Sequence, residues 1–306
     1  MSQVVEHAVF VERKSCINCA STNYSELASG KYTDEPLMGF LAADPWGEDP
    51  LPYLRSAAWS LARCADCSQV FHRFILNAEW NERRFSKWMS ADAIRAFGRR
   101  LGPEFQRTFS GAVHHVEHIL RIERLTRRPR GSGPVCLLDF GCGFGQFLEA
   151  CTHFGFEATG IDRSIGRRTE ARIKILSSLD EIRGKMFHAI TLFETLEHLD
   201  SPSDMLRELS RHLVHDGILV LETPDCDGVH SIKTKQNYLS VHPLEHINAF
   251  THDTLKSITE RAGFKCIDRG PAFVTANHRS AVKRIGKHLL KRDGRSTQLY
   301  FRKTTP

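Results

Sequence analysis

The sequence predicts an α/β fold in which a mainly parallel seven-stranded sheet carries helices on both faces, preceded by a small cysteine-bearing domain. Three observations lead there. After Pro134 short apolar runs alternate with helical stretches, the pattern of a parallel sheet. The first run ends in a glycine-rich turn that opens into a helix, LLDFGCGFGQFLEA over Leu137–Ala150. Ahead of the sheet stand two C-x-x-C pairs, Cys16/Cys19 and Cys64/Cys67.

A chain of 306 residues has room for one α/β domain of ordinary size and a smaller attachment. Hydrophobic residues at 41% and charged residues at 25% describe a folded globular protein and exclude a disordered one. No stretch approaches the roughly 18 apolar residues of a membrane span, and MSQVVEHAVFVERKS holds no apolar run of signal-peptide length. The expected location is the cytoplasm. Nine cysteines without a secretory signal argue against a disulfide framework. Cys136, Cys142, Cys151, Cys226 and Cys266 lie in segments that read as core, where cysteine behaves as a small apolar residue.

Residues 1–85 form the expected cysteine domain, with a proline-rich middle, DPWGEDPLPY. Residues 86–133 read as a helical linker: VHHVEHILRIERL sets Val113, Val116, Ile119, Leu120 and Ile122 at helical spacing beside a charged face. RPRGSGP breaks that helix and marks a boundary. Residues 134–306 form the sheet domain, with strands expected at VCLLDF, EATGID, RIKIL, HAITLF, GILVLETP, GFKCID and TQLYF. Helices are expected to begin near Gln146, Ser164, Ser203 and Thr251, with Ser203 and Thr251 as N-caps. HRSAVKRIGKHLLKR spaces Val282, Ile285, Leu289 and Leu290 on one side of a further helix between the last two strands. From His278 onward there are nine Lys or Arg and one acid, a basic segment that is a solvated helix face or meets nucleic acid or an anionic surface.

The glycine turn departs from a dinucleotide fingerprint, because Gln146 stands where the last glycine of G-x-G-x-x-G belongs. Gly141, Gly143 and Gly145 let the backbone approach a ligand closely, and the helix behind them presents free N–H groups. Asp139 would repel a pyrophosphate but can accept hydrogen bonds from an ammonium group. Asp162, about twenty residues on, can take both hydroxyls of a ribose. An amino acid joined to an adenosine satisfies both acids, and S-adenosylmethionine is such a ligand.

These residues, followed in order by LFETLEHLDSPSDML and GILVLETP, resemble the successive motifs of the class I S-adenosylmethionine-dependent methyltransferases, a Rossmann-like family. The resemblance covers roughly residues 134–270. It implies that the turn Gly141, Cys142, Gly143, Phe144 and Gly145 binds the cofactor, that Ser178 and Leu179 lie along the adenine, and that Phe193 and Glu194 flank the methionine end. Phe144 replaces a small hydroxylated residue found in many relatives, which removes a side-chain hydrogen bond to the cofactor.

C-x-x-C is the spacing at which two thiolates on one knuckle reach a tetrahedral zinc, and two pairs complete its ligands. CINC and RCADCSQVF look like the knuckles of a zinc ribbon with a structural Zn2+, although reduced core cysteines share the pattern. The 44 residues between the pairs exceed the roughly 15–20 of a simple ribbon, so an insertion is expected there. A zinc ribbon ahead of a methyltransferase domain, with HPLEHINAFTHDTLKSITERAGF after it, is similar to a bacterial group that includes sugar C-methyltransferases, in which the ribbon helps enclose the acceptor.

Methyl transfer needs a base to remove the acceptor's proton, and histidine beside a carboxylate suits that role. Glu194, Glu197 and His198 would share one face of a helix, and His242, Glu245, His246 and Asn248 form a second cluster. His246 assisted by Glu245 is the expected base, with His198 as a further catalytic candidate. Glu194, Glu197, His198 and a later histidine also resemble the magnesium-binding set of the small-RNA 2′-O-methyltransferases. The expected acceptor is a small molecule, a nucleotide-linked sugar or a glycan or natural-product intermediate. The alternatives are an RNA methyltransferase that uses the ribbon and basic tail, and a non-catalytic binding protein on a degenerate fold.

Overall fold

The computed structural model describes residues 6–100, 104–127, 132–270, 274, 278–289 and 296–304. Its strands are β1 (Phe10–Glu12), β2 (Tyr24–Lys31), β3 (Ala58–Cys64), β4 (Val70–His72), β5 (Phe74–Leu76), β6 (Cys136–Phe140) and β7 (Glu157–Ile161). There follow β8 (Ile175–Leu176), β9 (Phe187–Phe193), β10 (Leu213–Glu222), β11 (Asn248–Ala249), β12 (Phe264–Ile267) and β13 (Gln298–Lys303). No described helix is long and apolar enough to cross a membrane.

Two compact units divide the chain, and neither is one continuous segment. The first comprises Met1–Gly98, Leu196–Ser203 and Thr223–Ile258; the second comprises Arg99–Thr195, Asp204–Glu222 and Thr259–Pro306. The consecutive partition at residues 85 and 133 therefore differs from the observed one. Stretches that follow β9 and β10 in sequence supply the rest of the first unit, and composition alone carries no trace of that return.

In the second unit the sheet order is β12-β13-β10-β9-β6-β7-β8. β13 runs antiparallel to β10 and β12, and the other pairs are parallel. The seven expected strands all form, but RIKIL yields only the two residues of β8. The central strands are apolar on both faces because both are covered. Leu138, Ile190 and Leu219 share one face by register, and Leu137, Ala189 and Val220 lie on the other, all fully buried. The helix Glu104–Thr126 packs Ile119, Ile122 and Leu125 into the second of these faces. It is a layer of the domain and not a linker, because its apolar stripe is buried while only Leu120 of that stripe is substantially exposed.

The chain runs from β6 outward to β7 and β8, then returns to the opposite side of β6 as β9. At such a reversal point, here the carboxyl ends of β6 and β9, open α/β sheets bind their ligands.

The helix Gln146–His153 follows Gly145 as expected, and Ser164 precedes Ile165–Glu170. Thr251 caps His252–Arg261 through reciprocal hydrogen bonds with Thr254. Ser203 is not a cap: its helix starts at Pro202, and its hydroxyl donates to the Ile17 carbonyl. Between β12 and β13 lies the helix His278–Leu289, on which Val282 and Ile285 are exposed; Leu290 lies outside the described residues. Arg128–Gly131 of the expected linker break and the first five residues lie outside them as well.

The first unit is built on an antiparallel sheet of order β11-β4-β3-β2 and the separate pair β1–β5. Trp59, Trp80, Trp88, Tyr32 and Tyr238 anchor its core. The insertion expected between the cysteine pairs consists of β2, the helix Leu37–Ala42, a short turn at Leu51–Tyr53 and β3. Because β2 pairs antiparallel with β3, Tyr24 lies opposite Cys64, and the two cysteine knuckles meet at one end of the hairpin.

Candidate active site

The glycine turn leaves the carboxyl end of β6 with Gly141, Gly143 and Gly145 all at positive φ. Gly141 has φ +80, and a Cβ there would stand 2.3 Å from Thr195 Oγ1, so only glycine fits both the angle and the space. The N–H groups of Gly141 and Cys142 donate to the Ile161 carbonyl. Asp162 ties the turn from the other side, accepting from the Gly143 N–H at 2.9 Å and from the Ser164 N–H at 2.8 Å. Burial holds the Cys142 thiol well above its usual range, so it is protonated and inert.

Asp139 is buried and accepts a hydrogen bond from Thr191 Oγ1 at 2.6 Å. Burial, with the charge of Asp162, pushes its carboxyl up to about 7. Phe193 ends β9, and Glu194 follows it in left-handed backbone, with its N–H on the Glu222 carbonyl. Burial and the negative charge of Glu222 raise Glu194 to about 7 as well. Both carboxyls are thus held above the usual carboxylate range by burial and a neighbouring negative charge. Ser178 and Leu179 open a short turn just after β8. Phe144 lies within the glycine turn, as the sequence expects.

A cluster that the motif reading did not anticipate lies at the same carboxyl edge. Glu222, the last residue of β10, has Oε2 3.1 Å from His114 Nε2 and 3.2 Å from His118 Nε2, and it accepts from Gln298 Nε2 at 3.0 Å. Burial opposes the charge of Glu222, but these hydrogen bonds outweigh it and hold the carboxyl well below the ordinary range. The signal available in sequence was the pair of histidines four residues apart in HHVEH.

Glu194, Glu197 and His198 do not form the expected helical face. Glu194 is left-handed and Leu196–His198 is a single short 3₁₀ turn, which Asn248 holds by donating to the carbonyls of Leu196 and Leu199. Glu197, His198 and His246 instead bring their ligand atoms within 4.8 Å of one another. His198 Nδ1 donates to the Glu245 carbonyl at 2.7 Å and His246 Nδ1 to the Leu239 carbonyl at 2.6 Å. Both Nε2 lone pairs are therefore left for Glu197's side of the cluster. Burial drives both imidazoles toward the neutral form, His198 well below its usual value and His246 down to about 3.

The expected His246–Glu245 pair is not formed. The Glu245 carboxylate lies 3.6 Å from His242 Nε2, because the Leu239 carbonyl has already captured the His246 ring. His242 is further joined to Tyr238 and Asp44 in a buried network.

The sulfurs of Cys16, Cys19, Cys64 and Cys67 also lie within 4.8 Å of one another. Their knuckles match: Ala20 N–H donates to the Cys16 carbonyl and Ser68 N–H to that of Cys64, with Ala20 and Ser68 both at positive φ. Such a closed set of four thiols is suited to a tetrahedral soft or borderline ion.

An open sheet of this order, with an acid-flanked glycine turn at its reversal point, is a Rossmann-like α/β fold. The chain belongs to the family described as methyltransferase domain, which matches residues 110–269, just over half of its length. Among curated proteins it is similar to the ubiquinone biosynthesis O-methyltransferase of Rickettsia typhi, 23% identical over 143 residues that cover 42% of this chain and 55% of the relative. The counterpart in Xanthomonas axonopodis is 27% identical over 122 residues, covering 36% and 51%. The chain thus spans about half the length of the curated relatives it matches. Among solved structures, the plantazolicin methyltransferase BpumL in complex with SAH is 18% identical, with a TM-score of 0.41 over 67% of this chain and 92% of that one.

Proposed function

We propose that this methyltransferase binds S-adenosylmethionine at the glycine turn and methylates a small molecule, a nucleotide-linked sugar or a glycan or natural-product intermediate. The observation that carries the reading is the turn Gly141–Gly145 between Asp139 and Asp162 at the sheet's reversal point. Asp139 and Glu194 would meet the cationic amino-acid end, Asp162 the ribose, and Ser178 and Leu179 the adenine. Bound there, S-adenosylmethionine supplies an electrophilic methyl group. The O-methyltransferase names of the relatives support a small hydroxylated acceptor. Purified protein is incubated with methyl-labelled S-adenosylmethionine and a cell extract. Label in the small-molecule fraction is expected; label that nuclease removes would mean an RNA acceptor instead.

The four cysteines are proposed to hold a structural Zn2+. A second ion is favoured by one observation, the convergence of two Nδ1-anchored imidazoles on Glu197. Two nitrogens and one carboxylate suit a borderline divalent ion better than the magnesium of the RNA-modifying resemblance. Glu197→Gln is expected to lower bound metal by one equivalent, read by elemental analysis, while the equivalent on the cysteines stays; unchanged content would dismiss the second ion.

Cofactor binding should also be proton-linked. Asp139 is held up near 7 by burial, and an arriving ammonium favours its ionised form, so binding releases a proton at pH below about 7. Affinity should rise as pH approaches 7 and level off above it. Calorimetry in buffers of different ionisation enthalpy reads the released proton directly. Asp139→Asn should remove its share, and an unchanged proton count would refute the assignment.

A further inference from the structure

We propose that His114, oriented by Glu222, is the base that takes the proton from the methyl acceptor. The argument rests on the methyltransferase class and not on the identity of the acceptor.

Glu222 Oε2 has three partners, and they are not alike. His118 is fully buried, and its Nδ1 accepts from the Tyr300 hydroxyl at 2.6 Å. Gln298 is an amide and does not titrate. His114 alone combines a titratable ring with access to solvent, its side chain being 41% exposed. With Nε2–H donated to Glu222, the lone pair lies on Nδ1, which has no hydrogen-bond partner among the described residues. A carboxylate that fixes the tautomer of an imidazole and leaves its other nitrogen open is the arrangement of a general base.

Position supports the role. The His114 ring lies 6.4 Å from that of Phe193, the last residue of β9, and Glu194 follows immediately. This is the edge of the sheet at which the reacting end of the cofactor is placed above. The charged and titratable groups around His114 are Glu222 on β10, Glu194 after β9, and Glu117, His118, His115 and Arg121 on its own helix. Their combined influence, led by the Glu222 hydrogen bond, raises the His114 pKa above its ordinary value. His115, by contrast, is driven down to about 4 by burial.

In the step itself the acceptor's nucleophilic atom forms a bond to the methyl carbon as the carbon–sulfur bond breaks, its electron pair remaining on sulfur. The acceptor's proton passes to His114 Nδ1. The resulting imidazolium is held against the Glu222 carboxylate until it returns the proton to water. Glu222 stays ionised throughout and acts as a positioning residue.

The test uses the full chain loaded with its metal. Imidazole NMR, with the His114 signal assigned by its absence in His114→Gln, should show this ring titrating above 6.5 and moving down in Glu222→Gln. Methyl transfer to the labelled small-molecule pool should rise with pH through the same midpoint. His114→Gln should slow it by about 100-fold or more, while S-adenosylmethionine affinity by calorimetry changes less than about threefold, under 0.7 kcal/mol. A ring that titrates without regard to Glu222 overturns the pair. Transfer at the wild-type rate in His114→Gln, or loss of cofactor binding in it, overturns the role as base. Should the wild type label no small molecule, the acceptor class proposed above fails, and the NMR result still decides the pair.

Discussion

Replacing Cys64 by serine should cost the protein one equivalent of metal and the cooperative folding of its first unit. The hydroxyl cannot replace the thiolate, and the remaining three sulfurs leave a tetrahedral ion open to solvent. Cys16 Sγ lies 3.5 Å from Cys67 Sγ, and Cys19 Sγ lies 3.5 Å from Cys64 Sγ, so each sulfur of one knuckle faces one of the other. The backbone already supports a charged cluster, since Asn18 N–H reaches Cys16 Sγ at 3.4 Å. Structural zinc supplies on the order of 10–16 kcal/mol in small modules. The local apolar cluster is slight, with Cys16, Ala62, Cys64 and Phe71 as its buried members. Removing the ion should therefore be felt well beyond the knuckles. Elemental analysis and thermal melting check this together. A Cys64→Ser protein that keeps its metal and melts like the wild type would exclude a four-thiolate site.

Gly141→Ala should abolish useful cofactor binding. The left-handed backbone alone costs roughly 1–2 kcal/mol for a residue with a Cβ. The new methyl would also press on Thr195, whose Oγ1 donates to the Phe193 carbonyl at 2.9 Å. Relief requires moving the segment that carries Phe193 and Glu194, an overpacking cost of about 1–3 kcal/mol. Together these weaken affinity or stability by roughly a hundredfold or more. Gly155→Ala is the matched control, because φ there is +79 but nothing lies within 4 Å of the added Cβ. Calorimetric affinity and melting temperature should fall much further in the first variant than in the second. Equal losses would mean that the contact with Thr195 carries no cost.

The parts of this molecule that were legible in sequence are those fixed by local spacing. β6, β9 and β10 announce themselves as continuous apolar runs because both sheet faces are covered. The glycine turn and the cysteine knuckles are likewise set within a few residues. What escaped depends on distant partners. His114 and Glu222 are 108 positions apart, and no period or motif links a helix that reads as a connector to the end of a strand. His246 and Glu245 are adjacent, and adjacency misled: neighbouring residues of an irregular segment point to different partners, here the Leu239 carbonyl and His242. The face expected for Glu194, Glu197 and His198 assumed a helix that the left-handed Glu194 forbids.

The interleaving of the two units bears on how the chain is made. As it leaves the ribosome, all four paired cysteines and Trp59, Trp80 and Trp88 emerge within the first 98 residues. Their apolar cluster still lacks Val229, Ile232, Tyr238, Val241 and Leu244, which are synthesised only after most of the parallel sheet. An early-captured ion would hold the knuckles while the tryptophans wait uncovered, the interval in which nascent chains engage chaperones. For the same reason the first 98 residues cannot be lifted out as a portable module. A graft would have to carry the later stretches with it.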